Sequence, residues 1–244
     1  MTSRRAFLTA TWRDLAMLNF VIEPRVLRPF LPAATELDTW QGQTFVSVVG
    51  FRFCDLRVLG VRVPLHQEFE EVNLRFYVRR KTDDGWRRGV VFIKELVPRS
   101  AVTFAARTFY GENYHAVPMS HRIERGESGG QATHQVTYRW QFNGRDQSID
   151  VTTIGESRPI DVDSHEAFIA EQFWGYTRRS ETRTLEYEVE HPPWRTWPAQ
   201  QARLTCDVAN LYGQPFVEAL TAAPTSAFLA DGSDVTVYYG TKLA

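Results

Sequence analysis

The segment "VNLRFYVRR" (residues 72–80) alternates without a break. Val72, Leu74, Phe76 and Val78 fall on one side, and Asn73, Arg75, Tyr77 and Arg79 fall on the other. A side-chain period of two is the signature of an extended strand, because successive Cβ atoms point to opposite faces. Similar β-rich runs cover "TFVSVVGFRF" (44–53), "GVVFIKELV" (89–97), "SAVTFAARTF" (100–109), "THQVTYRWQF" (133–142), 149–154, "TRTLEYEVEH" (182–191) and "DVTVYYG" (234–240). The Asp-Gly in "TDDGW" (82–86) joins two of them as a hairpin, and "NGRD" (143–146) turns another.

Helical patterns are few. Pro24 suits a first helical position and Pro32 a stop, so a short helix is expected over 23–32. A longer one is expected over 163–176, with Asp163 as its cap, Glu166 completing a capping box and Gly175 ending it. A third is expected over 215–222. Strands separated by turns, with so few helices, argue for a mainly β protein: one large curved antiparallel sheet forming a barrel, in a single domain over residues 1–244. Closure removes exposed sheet edges, and barrel mouths often hold small ligands.

A chain of 244 residues buries roughly 70–75% of its unfolded surface, enough for a core without cross-links. The net charge is −1, so there is no basic field to attract nucleic acid or acidic lipid. Two cysteines, Cys54 and Cys206, read as reduced and buried. "SRRAFL" (3–8) has the twin arginine of an export signal, but Trp12, Arg13 and Asp14 interrupt the apolar stretch such a signal needs. No run of about 18 apolar residues occurs, so no membrane partner and a cytoplasmic location are expected.

The familiar chemical motifs are weak here. "GESGG" (126–130) fits the nucleophile-elbow string but lies between strands, where a glycine-rich turn is the simpler reading. The six histidines show no zinc spacing, and no phosphate loop occurs, so neither a metal nor another cofactor is expected. "HPPW" (191–194) reads as a rigid architectural segment, since each proline fixes its own backbone and restricts its predecessor. Only three lysines occur, at 81, 94 and 242; Lys94 alone lies inside an expected strand. Imine chemistry needs a primary amine, so its candidates are few.

"LRPFLPAATELDTWQGQTFVSVVGF" (27–51), "FEEVNLRFYV" (69–78), "AARTFYGENYHAVPM" (105–119) and "HPPW", taken together in this order, resemble the YqjF-like family, grouped with the acetoacetate decarboxylase-like superfamily. The resemblance implies a cone-like barrel of strongly curved antiparallel sheet with a small-molecule pocket inside. The decarboxylases capture a β-keto acid on a lysine, and the iminium serves as the electron sink. The same resemblance places their substrate-facing arginine on Arg13 and their pocket glutamate on Glu71. It places the lysine pair on Tyr114 and His115, neither of which forms a stable iminium.

The expected site is therefore Arg13, Glu71, Tyr114 and His115 as acid–base and polarising groups, with Arg107, Tyr110 and Asn73 contacting the substrate. Such a set suits hydration, dehydration, enolisation or hydrolysis of a small carbonyl or carboxylate compound without an imine. It suits a non-catalytic ligand-binding or sensing barrel equally well. The expected partner is a small molecule, and the decarboxylase relatives suggest homo-oligomers.

Overall fold

A computed structural model describes residues 5–62, 67–98 and 113–243. The expected strand over 100–109 and the site candidates Arg107 and Tyr110 lie outside the described residues.

The strands in chain order are β1 (Ala6–Val21), β2 (Glu36–Leu37), β3 (Phe45–Val58), β4 (Val61–Arg62), β5 (Glu68–Thr82), β6 (Gly85–Val97), β7 (Tyr114–Ala116), β8 (Met119–Ser128) and β9 (Gln131–Phe142). They continue as β10 (Arg145–Ile154), β11 (Arg158–Pro159), β12 (Trp174–Arg178), β13 (Thr184–Glu190), β14 (Arg195–Thr205), β15 (Ser226–Ala230), β16 (Asp234–Tyr238) and β17 (Thr241–Leu243). Short α-helices are α1 (Pro24–Leu27), α2 (His165–Ala170), α3 (Val208–Leu211) and α4 (Val217–Thr221).

Pairing closes a ring among the described residues. From β1 it runs through β3, β5, β6, β12, β13 and β16 back to β1. All these contacts are antiparallel except β6–β12, which is parallel, as is β6–β7 on the other part of β6. The sheet is thus mixed where a purely antiparallel one was expected. The parallel seam is close. A Cβ built on Gly89 would lie 2.3 Å from the Trp174 carbonyl oxygen, so a larger residue cannot occupy that position unless backbone shifts.

The hairpins follow their turn chemistry. β5 and β6 meet across Asp83–Asp84, and Asn143 and Gly144 both take positive φ between β9 and β10. Gly129 and Gly130 of "GESGG" make the turn between β8 and β9, while Gly126 pairs within β8; Ser128 is exposed at the end of that strand, with no helix following it.

A second sheet, β8–β9–β10–β14, covers part of the ring's outer face. Between the two lies one core, with Val48, Val72, Leu74 and Phe76 of the ring against Val136, Tyr138, Trp140 and Val151, and with Leu211 and Phe216 at its helical end. Another core fills the ring itself, built from Leu15, Met17, Val49, Phe51, Phe53, Phe69, Tyr77 and Phe168 among others. The apolar face of "VNLRFYVRR" therefore points outward under the second sheet, and its polar face points into the barrel.

The helix expected over 163–176 is cut to α2. Ser164, not Asp163, is its cap, its side chain accepting from the Ala167 N–H at 3.1 Å. The chain leaves the helix at Glu171 because Trp174 and Gly175 are needed as a strand between β6 and β13. Both cysteines are free and half-buried.

Candidate active site

The barrel encloses a cavity of ≈ 190 Å³. Its polar lining follows from strand parity. Glu71, Asn73 and Arg75 alternate along β5, so they stand in a row on the inner face about 7 Å apart. Asn73 lies directly opposite Glu95 of β6, and Glu95 opposite Tyr114 of β7, so three adjacent strands contribute one polar layer. Gln172, just after α2, and His191, just after β13, add to the polar lining.

These groups are deep. Glu71 is 3% exposed and Glu95 1%. Asn73 donates its amide to Glu71 Oε1 at 2.9 Å. Arg75 donates to the Ile169 carbonyl at 3.0 Å, which uses the C-terminal end of α2 to hold the guanidinium. Gln172 donates to the Phe168 carbonyl at 2.5 Å. Asn73 Oδ1, Arg75 Nε and Gln172 Oε1 are buried without a hydrogen-bond partner among the described residues. A buried polar atom left unmade costs about 1–3 kcal/mol, so each is poised to gain from a bound ligand or water.

His191 is the titrating group of the set. Its ring stacks on Trp194 at 4.3 Å, and Nδ1 lies 3.0 Å from the Pro192 carbonyl. A carbonyl only accepts, so Nδ1 carries the proton and Nε2 carries the lone pair. Burial lowers the His191 pKa below the usual histidine value. The Pro192 bond opposes this and the positive charge of Arg75 reinforces it. The imidazole is thus a neutral base at ordinary pH.

Of the residues expected from sequence, Glu71, Asn73 and Tyr114 meet at this cavity. Arg13 does not. Trp12 takes the inner position on β1, so its neighbour is exposed on the outer face, across from Arg52. His115 is likewise displaced by parity, for Tyr114 faces the cavity and His115 engages Asn113 at 2.9 Å.

"HPPW" is more than architectural, since both its histidine and its tryptophan line the cavity. Arg75, Glu95, Gln172 and His191 were not assigned from sequence. The only signal for Arg75 was its place on the polar side of the alternation. For Gln172 and His191 there was none, because their approach depends on the β6–β12 seam.

All three lysines are described, and none lines the cavity. Lys81 and Lys242 are exposed. Lys94 points to the outer core, where it donates to the Leu211 carbonyl of α3, and burial lowers its pKa. Among the described residues no cluster of three metal-ligating side chains occurs, and no helix is long and apolar enough to cross a membrane.

Comparison with known proteins gives a consistent picture. The family described as "DUF2071: Uncharacterized conserved protein (COG2071)" matches residues 9–234. The "Uncharacterized protein YqjF" of Bacillus subtilis (strain 168) is 28% identical over 207 residues, covering 83% of this chain and 80% of the relative. Among solved structures, acetoacetate decarboxylase from Legionella pneumophila superposes with a TM-score of 0.64 at 15% identity, covering 100% of this chain and 90% of that one. An acetoacetate decarboxylase-like enzyme from Sphingomonas wittichii RW1 gives 0.65 at 13% identity, covering 98% and 93%. At these identities the structural likeness establishes the fold.

Proposed function

Since the chain belongs to the DUF2071 family and has the acetoacetate decarboxylase-like fold, we propose that it acts on a small carbonyl or carboxylate compound by acid–base chemistry that forms no imine. One observation carries this reading. The cavity gathers a guanidinium, two carboxylates, an amide pair and a neutral imidazole, while every ε-amino group of the chain lies elsewhere.

In this reading Arg75 takes the role first given to Arg13. It is permanently cationic and held by Ile169, so it orients a carboxylate or polarises a carbonyl oxygen. Asn73 and Glu71 follow it along β5, and Tyr114 stands level with Asn73 across Glu95. His191 Nε2 accepts a proton from carbon or water, and Glu71 serves as the second proton-transfer group. Such a site supports enolisation, hydration or dehydration, and hydrolysis. Tyr114, if placed beside the developing oxyanion, donates to it.

A second reading is a non-catalytic ligand-binding barrel. The largely aromatic and aliphatic remainder of the lining favours it.

The test is a turnover screen of purified protein with short 2-oxo acids, enol ethers and lactones, run beside Glu71→Gln and His191→Gln. Removing a positioned acid or base lowers turnover by about 10²–10⁴-fold. Equal turnover in all three proteins removes these two groups from the mechanism, and retained ligand without turnover establishes the binding barrel. Borohydride trapping with acetoacetate is expected to leave every lysine unmodified; an adduct on Lys94 overturns the imine-free chemistry.

A further inference from the structure

The polar groups occupy only one part of the cavity, and strand register shows how the rest is laid out. On β3 the lining residues are Val49, Phe51, Phe53, Leu56 and Val58. Val49 pairs with Asn73 and Phe51 with Glu71, so the polar groups sit at that level. Val58 lies seven residues further along β3, on the order of 20 Å away. There it pairs with Leu8 of β1, which in turn pairs with Val237 of β16, and all three line the cavity. The lining therefore runs along β3 as a long passage, or tube, from the level of the polar groups to Val58.

Its polarity is graded. Glu71, Asn73 and Glu95 are buried, whereas Leu8, Val58 and Val237 are only partly covered. The charged end is therefore the inner end, and among the described residues the route to it is mainly hydrophobic, with His191 and the Trp12 indole N–H beside it. Between the two ends Trp12 packs edge-on against Phe51 at 5.3 Å, Phe53 at 6.1 Å and Trp194 at 6.2 Å, and Phe53 stacks on Phe69 at 4.9 Å. Water in such a passage finds few of the two to four polar partners it needs. A ligand polar along its whole length would lose its hydration there without compensation.

We infer that the ligand is amphipathic: an oxo-acid head seated among Arg75, Asn73 and Gln172, followed by an unbranched hydrocarbon or aryl-alkyl body lying along the aromatic wall toward Val58. The head rests on the reading above; the body rests on the register and the lining. Each of the three polar residues has a buried atom at this site without a partner among the described residues, which is the complement an oxygen-rich head requires. A four-carbon oxo-acid fills the inner end alone and leaves the tube empty.

The experiment is calorimetric titration of the full chain with straight-chain 2-oxo acids of about four to about twelve carbons, in parallel with turnover assays. The dissociation constant is expected to fall roughly threefold to fourfold for each added methylene, until the tube is filled. In Val58→Trp the indole occupies the outer end, and the plateau is reached at a shorter chain.

Affinity independent of chain length, or an unmoved plateau in the variant, overturns the inference. So does failure of every member to bind. If the shortest acid is turned over in a Glu71-dependent manner while longer ones bind no better, the hydrophobic body is wrong and the acid–base reading stands. If affinity climbs with length and nothing is turned over, the body is right and the chemistry is wrong.

Discussion

Ser47 shows how much depends on single interior side chains. Its hydroxyl donates to Asn19 Oδ1 at 2.6 Å and meets the Tyr77 hydroxyl at 2.5 Å. Asn19 passes the chain on through Ser226, at 3.0 Å, to His165 Nδ1, at 3.1 Å. Asn19, Ser47 and Tyr77 are buried, so this relay at the closed end of the barrel has no solvent to fall back on. Ser47→Ala is expected to strand Asn19 Oδ1 and the Tyr77 hydroxyl, lowering stability by about 1–3 kcal/mol in urea denaturation. A loss of a few tenths would mean that water replaces the hydroxyl. At this scale residue types were legible in the sequence and partners were not. Nothing in the local string of Asn19, Ser47, Ser226 or His165 says that they meet across separations of 28, 207 and 61 positions.

Among the elements, the β6–β12 seam has the greatest leverage over the site. It is only two residue pairs long, Trp174 with Gly89 and Gly175 with Val90, yet it completes the ring and brings Gln172 and His191 to the cavity. Gly89→Ala puts a methyl against the Trp174 carbonyl. The expected cost is about 1–3 kcal/mol, as for other overpacked positions, together with weaker ligand binding, read by thermal denaturation and titration. Unchanged stability and affinity would show that the seam relaxes freely. The hairpins β5–β6 and β9–β10 were readable because the Asp-Asp-Gly and Asn-Gly strings mark their turns locally. The seam was not, for a parallel contact between residues some 85 positions apart leaves no mark on either segment. The same fact explains why α2 ends early: its pattern continues in the sequence, but the barrel claims Trp174 and Gly175 as strand.

For the whole molecule, burial sets the response to acid. His134, His165 and His191 all have pKa values lowered chiefly by desolvation. Their folded values lie below the unfolded value of about 6.5, so below that pH the unfolded chain binds protons that the folded chain refuses. The stability they contribute is complete above about pH 6.5 and is lost as pH falls from there. The urea midpoint is expected to drop between about pH 7.5 and about pH 5.5, a window above the carboxylate range. A flat midpoint would show that all three rings protonate in the folded state.

By itself the sequence determined β3, β5, β6, β9, β10, β13 and β16, the turns of two hairpins, the family and the scarcity of lysine, because alternation, Asn/Asp-Gly pairs and residue order are local properties of the string; β1, β8, β14 and β15 went unread and β12 was expected as helix. Glu71 and Tyr114 were nominated through the family resemblance, with Asn73 as a substrate contact, and the three do meet. The tertiary structure alone decided which face of each strand looks into the cavity. A period-two pattern defines two faces, and when a second sheet buries the outer face as well, hydrophobicity no longer tells inside from outside. That is why Arg75, on the inner face of β5, was not singled out, whereas Arg13 and His115, placed by the family resemblance, fall one residue away from the cavity-lining Trp12 and Tyr114.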